Sequence, residues 1–306
     1  MSLGVVCPGQ GAQSPAMFAL LDGHLAEAPA LRACARVLGR DLDGIIAAAG
    51  DAFLQRNAVA QPLLCAYQLT VWSLLREALP APRAFAGYSI GEFAAYGCAG
   101  AFDPEATVAI AAFRAQAMDA ACSEPCGMAA VRGLSRRRLE PLAAAHGVEI
   151  AIVNAPDRIV VGGRSAGLQA LLAELAPLGA SVTPLAVHIA SHTSLMASAA
   201  AALRRRLQQT AMAAPAVPVL AGIDGLPVYQ PARAVETLSQ QACQTIDWAA
   251  CLQGLSEAGC RVILELGPGA DLARMVRDNL PGIEARSVAE FHTLAGALQW
   301  VRRHLD

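Results

Sequence analysis

The stretch Ala84-Phe85-Ala86-Gly87-Tyr88-Ser89-Ile90-Gly91-Glu92 constrains this chain more than any other. Three apolar residues run into a serine held between two glycines, and Phe93-Ala94-Ala95-Tyr96 continues with helical character. A strand that turns sharply into a helix needs glycine on both sides of the turn, because a Cβ at either flank would meet the chain as it doubles back. The serine then sits at a helix N-terminus, where backbone N–H groups face developing negative charge. The stretch therefore predicts a β–turn–α unit whose serine can serve as a nucleophile. In a chain with 26 glycines the same pattern also fits an ordinary turn, so the elbow needs partners elsewhere.

The rest of the chain continues the alternation of strand and helix. Residues 3–7 read as a buried strand closed by Pro8-Gly9-Gln10-Gly11, and a helical pattern spans 61–79. Asp103-Pro104-Glu105 opens a further helix, with aspartate at the N-cap and proline in the first position. Between 127 and 187 the order becomes strand (128–132), helix (135–146), strand (149–153), strand (158–162), helix (165–178), strand (181–187). That β-α-β-β-α-β order is ferredoxin-like. It predicts a small domain, 127–187, inserted into a larger α/β domain made of 1–126 and 188–306. Beyond the insert, helices are expected at 193–209 and 248–258, and strands at 217–221 and 262–266. The alternation argues for an α/β-hydrolase-like, mostly parallel sheet covered on both faces.

Composition narrows the chemistry. Of 306 residues 55% are hydrophobic and 16% charged, ample for a large core, and the net charge is −2. No basic surface or polybasic segment points to nucleic acid or to a membrane surface. All 23 basic residues are arginine, so Schiff-base and other lysine chemistry is excluded. The nine cysteines are an odd number without repeated short spacing, and the N-terminus enters a strand-like run at once. Reduced thiols and a cytoplasmic location are the expectation. No uninterrupted apolar run of about 18 residues stands out as a membrane span; residues 106–121 carry Arg114 and Asp119.

A serine nucleophile needs a base, a group that orients the base, and oxyanion donors. Of the six histidines, His24, His146 and His304 lie in polar or helical surface patterns, and His292 lies in a connector. His188 and His192 remain, four residues apart. That spacing on a helix would suit a metal, but the segment reads as a strand leaving into a loop, without the glutamate of a zinc pattern. No metal site is expected.

Four segments together resemble the acyl-carrier-protein transacylase family. Cys7-Pro8-Gly9-Gln10-Gly11-Ala12-Gln13 is similar to its P-G-Q-G-x-Q opening, and Gly87–Glu92 to its G-H-S-x-G-E nucleophile motif. Ser191-His192-Thr193-Ser194-Leu195-Met196 resembles its histidine segment, and Leu264-Glu265-Leu266-Gly267-Pro268-Gly269 its late E-x-G-P-G motif. The resemblance covers nearly the whole chain and includes the inserted unit. It implies that Ser89 takes the acyl group as an ester and that His192 is its general base. It further implies that the main-chain carbonyl of Gln241 orients His192, that Gln10 and the N–H of Ile90 form the oxyanion hole, and that Asp247 is structural. In malonyl-specific members an arginine at the position of Arg114 grips the malonyl carboxylate, a match between a planar guanidinium fork and a carboxylate. Asn154 corresponds to an asparagine near the thioester pocket, although a turn residue before Ala155-Pro156-Asp157 is an alternative reading.

The implied activity is malonyl transfer from malonyl-CoA to the phosphopantetheine-type thiol of an acyl carrier protein, with no cofactor. One departure stands out: Tyr88 occupies the place of the family's usual histidine. A tyrosine there resembles the malonate decarboxylase epsilon subunit branch, which would make that enzyme's carrier subunit the partner. Fatty-acid or polyketide transacylation, a serine thioesterase and a non-catalytic docking subunit are the alternatives. Two arginine triplets, Arg136–Arg138 and Arg204–Arg206, are either solvated helix faces or docking surfaces for an acidic carrier.

Overall fold

The structure, a computed structural model, describes residues 2–305 apart from positions 22, 26, 27 and 48–50. Its strands, in chain order, are β1 (Leu3–Cys7), β2 (Ala84–Gly87), β3 (Cys126–Arg132), β4 (Val148–Ala155), β5 (Arg158–Arg164), β6 (Ser181–Pro184), β7 (Val219–Leu220), β8 (Pro227–Val228), β9 (Ile246–Asp247), β10 (Val262–Glu265) and β11 (Glu284–Ser287). They form two sheets, ordered β11-β10-β1-β2-β7-β8 and β6-β3-β5-β4-β9.

The larger sheet is parallel except for β8, which runs antiparallel to β7. Its central strands are apolar on both faces. Val5, Phe85 and Leu264 point into one core, whereas Val6, Ala86 and Ile263 point into another. That is the burial expected where helices cover both sides of a parallel sheet. Cys7 and Gly87 are register partners at the ends of β1 and β2, so the Pro8–Gly11 loop and the serine elbow emerge side by side. Open α/β sheets gather their ligand-binding groups at this carboxyl edge.

The smaller sheet contains β3 to β6 in ferredoxin-like order, with helices Arg136–Ala145 and Ser165–Leu175 packed on it. Two features join it to the large unit. β9 comes from far beyond the insert and pairs in parallel with β4. Met128, Ile152 and Val160 also share a core with Trp248 and Leu252.

Several elements are absent from the sequence reading. The helix Pro231–Gln240 and strands β8, β9 and β11 were not anticipated; three of them are edge or two-residue pairings that carry little periodicity. The expected strand at 217–221 shrinks to Val219–Leu220, and 193–209 divides into a 3-10 turn, Ser194–Met196, and the helix Ala197–Gln208. The helix expected from 61 begins at Asn57 and runs to Leu75, continued by the turn Arg76–Ala78. By length and composition this 22-residue element is apolar enough to cross a membrane, which the sequence reading had not anticipated. It is, however, 83% buried over its apolar window. It packs between helices Pro29–Leu38, Ile90–Cys98 and Pro104–Ala121, so its apolarity belongs to the core.

Candidate active site

Ser89 sits where β2 turns into the helix Ile90–Cys98, at φ 55° and ψ −117°. Both neighbouring glycines are sterically required. A Cβ on Gly87 would lie 2.2 Å from the backbone of Glu92, and one on Gly91 would lie 2.0 Å from the carbonyl of Cys7. Among the described residues, Ser89 and His192 are the non-glycine residues with positive φ, 55° and 65°. Such conformations cost on the order of 1–3 kcal/mol each and persist where the surroundings over-determine them.

Those two strained residues meet. Ser89 Oγ lies 2.8 Å from His192 Nε2, and His192 Nδ1 lies 2.6 Å from the carbonyl oxygen of Gln241. A carbonyl only accepts, so Nδ1 carries the proton and Nε2 is left to accept from the serine hydroxyl. The backbone N–H of His192 donates to Ala242 O at 2.9 Å, which fixes the loop to the same turn. Burial, and then the positive charge of Arg114, push the imidazole down to about 3, against a smaller opposing effect of the Gln241 carbonyl. The ring is neutral at physiological pH, as a base must be. Asp247 does not approach it; its carboxylate caps the helix Trp248–Glu257 through Ala250 N–H at 2.9 Å.

Arg114 lies in the middle of the helix Pro104–Ala121 and is 1% exposed. Nη1 donates to Gln61 Oε1 at 2.8 Å, and Nη2 donates to Gln241 Oε1 at 3.0 Å and Ser89 Oγ at 3.2 Å. Its Nε has no partner, and no carboxylate among the described residues is within ion-pair distance. Burial lowers it to about 10, so it remains a cation at neutral pH. A buried cation held only by neutral groups is costly unless an anion joins it.

Ile90 opens the helix, and the next two amides, Gly91 and Glu92, bond back to Tyr88 O and Ser89 O. The Ile90 N–H remains at the helix N-terminus beside Ser89. Gln10 lines the same cleft from the loop after β1; its Nε2 has only a 3.5 Å contact with Gln55 O. The cleft holds about 620 Å³ and runs between the serine elbow and β3–β5 of the smaller sheet. Asn154 lies in β4 rather than in a turn, so the turn reading is corrected. It lies beside Tyr88, whose ring packs edge-on against Trp248 at 5.4 Å between centroids. Both residues line the cleft.

His188 lines the cleft but is exposed, and it does not join His192 in a common cluster. The two arginine triplets are exposed and do not line the cleft; Arg136 pairs with Glu140, and Arg206 lies over Phe113. Gln61 and Glu92 are the residues that the sequence reading left out. Gln61 had a visible signal: it is an amide inside an apolar helix, 1% exposed. Glu92 had none beyond its place after Gly91.

This arrangement is that of a serine acyl-transfer site, and residues 5–301 match the acyl transferase domain family, to which the chain belongs. The malonyl CoA-acyl carrier protein transacylase of Mycobacterium tuberculosis is 34% identical over 296 residues, 94% of this chain and 96% of that protein. Among solved structures, the malonyl-CoA:acyl carrier protein transacylase of Xanthomonas oryzae pv. oryzae is 31% identical with a TM-score of 0.91, covering 98% of this chain and 99% of that one. A type II polyketide synthase acyl carrier protein in complex with its malonyl-transacylase also matches, at 26% identity, TM-score 0.92, and 98% and 99% coverage.

Proposed function

We propose that this chain moves a malonyl group from malonyl-CoA to the thiol of an acyl carrier protein through an ester on Ser89. The observation that carries the reading is Arg114: a buried guanidinium without a carboxylate partner, 3.2 Å from Ser89 Oγ. An acyl group on that oxygen that ends in a free carboxylate supplies the missing anion. A neutral acyl group does not.

The steps follow from the hydrogen bonds. Ser89 Oγ gives its proton to His192 Nε2 and attacks the thioester carbonyl. The Ile90 N–H and the Gln10 amide face the resulting oxyanion; one such donor is worth about 10²–10³ in rate. The imidazolium, held by the Gln241 carbonyl, passes its proton to the departing CoA sulfur. A carrier thiol then attacks the ester by the reverse sequence. No metal or redox step is required, because a thioester is already activated. The malonyl carboxylate also acts on the base: by neutralising Arg114 it removes one of the two causes that hold His192 down.

The finer reading concerns the carrier. Tyr88, packed on Trp248 at the cleft wall, replaces the histidine usual in the family; this supports the malonate decarboxylase carrier as the acceptor. The relatives named above support a fatty-acid or polyketide carrier instead. Intact-mass measurement after incubation with malonyl-CoA tests the main reading: a gain of one malonyl group, absent in Ser89→Ala, is expected. Free malonate accumulating without a carrier would show a hydrolase, and no acyl-enzyme would leave a docking subunit. Transfer rates to the two carrier types decide the finer reading.

A further inference from the structure

Glu92 is a buried carboxyl group, 0% exposed, on the third residue of the helix that begins beside Ser89. Among the described residues it forms no ion pair and its Oε1 has no partner, and it does not cap its own helix. Leaving a carboxyl oxygen unpaired in the interior costs stability. Its other oxygen is well used. Oε2 accepts from Gln241 Nε2 at 2.7 Å. Gly222 makes room for it: a Cβ there would lie 2.6 Å from that oxygen.

The Gln241 side chain is committed at all three of its positions. Nε2 donates one hydrogen to Glu92 and the other to Ser89 O at 2.8 Å, while Oε1 accepts from Arg114 Nη2 at 3.0 Å. Turned by half a rotation, the amide would set N–H against the guanidinium and oxygen against two acceptors. An accepting carboxyl oxygen on the Nε2 side therefore helps select the orientation that presents oxygen to Arg114. The same residue's main-chain carbonyl holds His192 Nδ1. Gln241 thus joins the base, the nucleophile's backbone and the arginine, and Glu92 anchors it from outside.

Resting on the malonyl-transfer reading above, we propose that Glu92 is a positioning residue, acting through the Gln241 side chain to aim the Arg114 fork at the substrate carboxylate. It touches no reacting atom. Its effect divides by donor: every acyl group uses His192, but only a carboxylate-bearing one uses Arg114. The test compares Ser89 acylation by malonyl-CoA and by acetyl-CoA in wild type, Glu92→Ala and Glu92→Gln, each also with Arg114→Ala. Leaving a buried donor without its acceptor is worth about 10–100-fold. Glu92→Ala is expected to lower kcat/KM for malonyl-CoA about tenfold or more beyond its effect on acetyl-CoA. Glu92→Gln, whose Oε1 can still accept from Gln241, recovers most of that excess. The excess disappears when Arg114 is already alanine. Equal losses on both donors, or an excess that persists without Arg114, would overturn the inference while leaving malonyl transfer standing. A wild-type protein that is not malonylated at Ser89 would overturn both.

Discussion

The two walls of the cleft are built on different principles. On one wall Ser89 and His192 line the cleft, backed by the buried Gln241 and Arg114, and these groups are tied to one another by hydrogen bonds of 2.6–3.2 Å. The facing wall, from the smaller sheet, presents Met128, Ile152 and Val160, with Asn154, Arg132 and Arg158 as polar groups. Where that side meets the helix Asp271–Asn279 at the rim, it does so through a half-exposed ion pair, Arg158 to Asp278 at 2.8 Å. One wall has few alternatives, since moving any member leaves another buried and unpaired. The other can change shape with its side chains. The hydrogen-bonded groups are concentrated on the first, and the apolar lining on the second.

The contrast breaks or sharpens through substitutions on each side. Ser89→Ala should abolish the acyl-enzyme, a loss of about 10⁴ or more as judged from other serine enzymes; residual malonylation seen by mass would place the nucleophile elsewhere. Arg114→Ala should reduce the preference for malonyl over acetyl donors by roughly 10²-fold, the scale of a charge-assisted bidentate contact. An unchanged preference in competition assays would remove Arg114 from recognition. In pH profiles, the acid limb of kcat/KM should lie far below that of an ordinary histidine, because protonation of His192 is held down to about 3. An unperturbed base would lose about tenfold between pH 7.5 and 5.5; here the plateau should extend through that range. The limb for kcat should lie at higher pH than that for kcat/KM, since bound malonyl neutralises Arg114 and imidazolium then forms more easily. On the facing wall, Met128→Ala should cost about 2–3 kcal/mol of stability and raise KM more than it lowers kcat. Arg158→Ala should be smallest, about 0–1 kcal/mol in thermal unfolding, with acylation of Ser89 unchanged.

Much of the fold was legible because its signals are local. The apolar strand into Gly87-Tyr88-Ser89-Ile90-Gly91 carries its own turn chemistry, and Asp103-Pro104 its own helix start, with the Asp103 side chain accepting from Ala106 N–H at 2.8 Å. The βαββαβ alternation also appears in the order of residue types. What escaped was short or held by neighbours. β9 is two residues long and exists only because β4 lies alongside. The helix Pro231–Gln240, which delivers Gln241, has a proline at its first turn that the sequence reading passed over.

The sequence by itself determined the nucleophile and its turn, because glycine on either side of Ser89 answers a steric demand within a few residues. It also specified the class of base, since a histidine is required and few were suitably placed. The tertiary structure decided which partners those residues have. Gln61, Arg114 and Gln241 are 53 and 127 residues apart along the chain, yet they form a single fork. The depressed basicity of His192 comes from burial and from Arg114, neither of which is a property of its own segment. The meeting of Tyr88 with Asn154 and Trp248 likewise required two sheets to close on each other. Desolvation and long-range pairing act through space, so the chain encodes them only once it has folded.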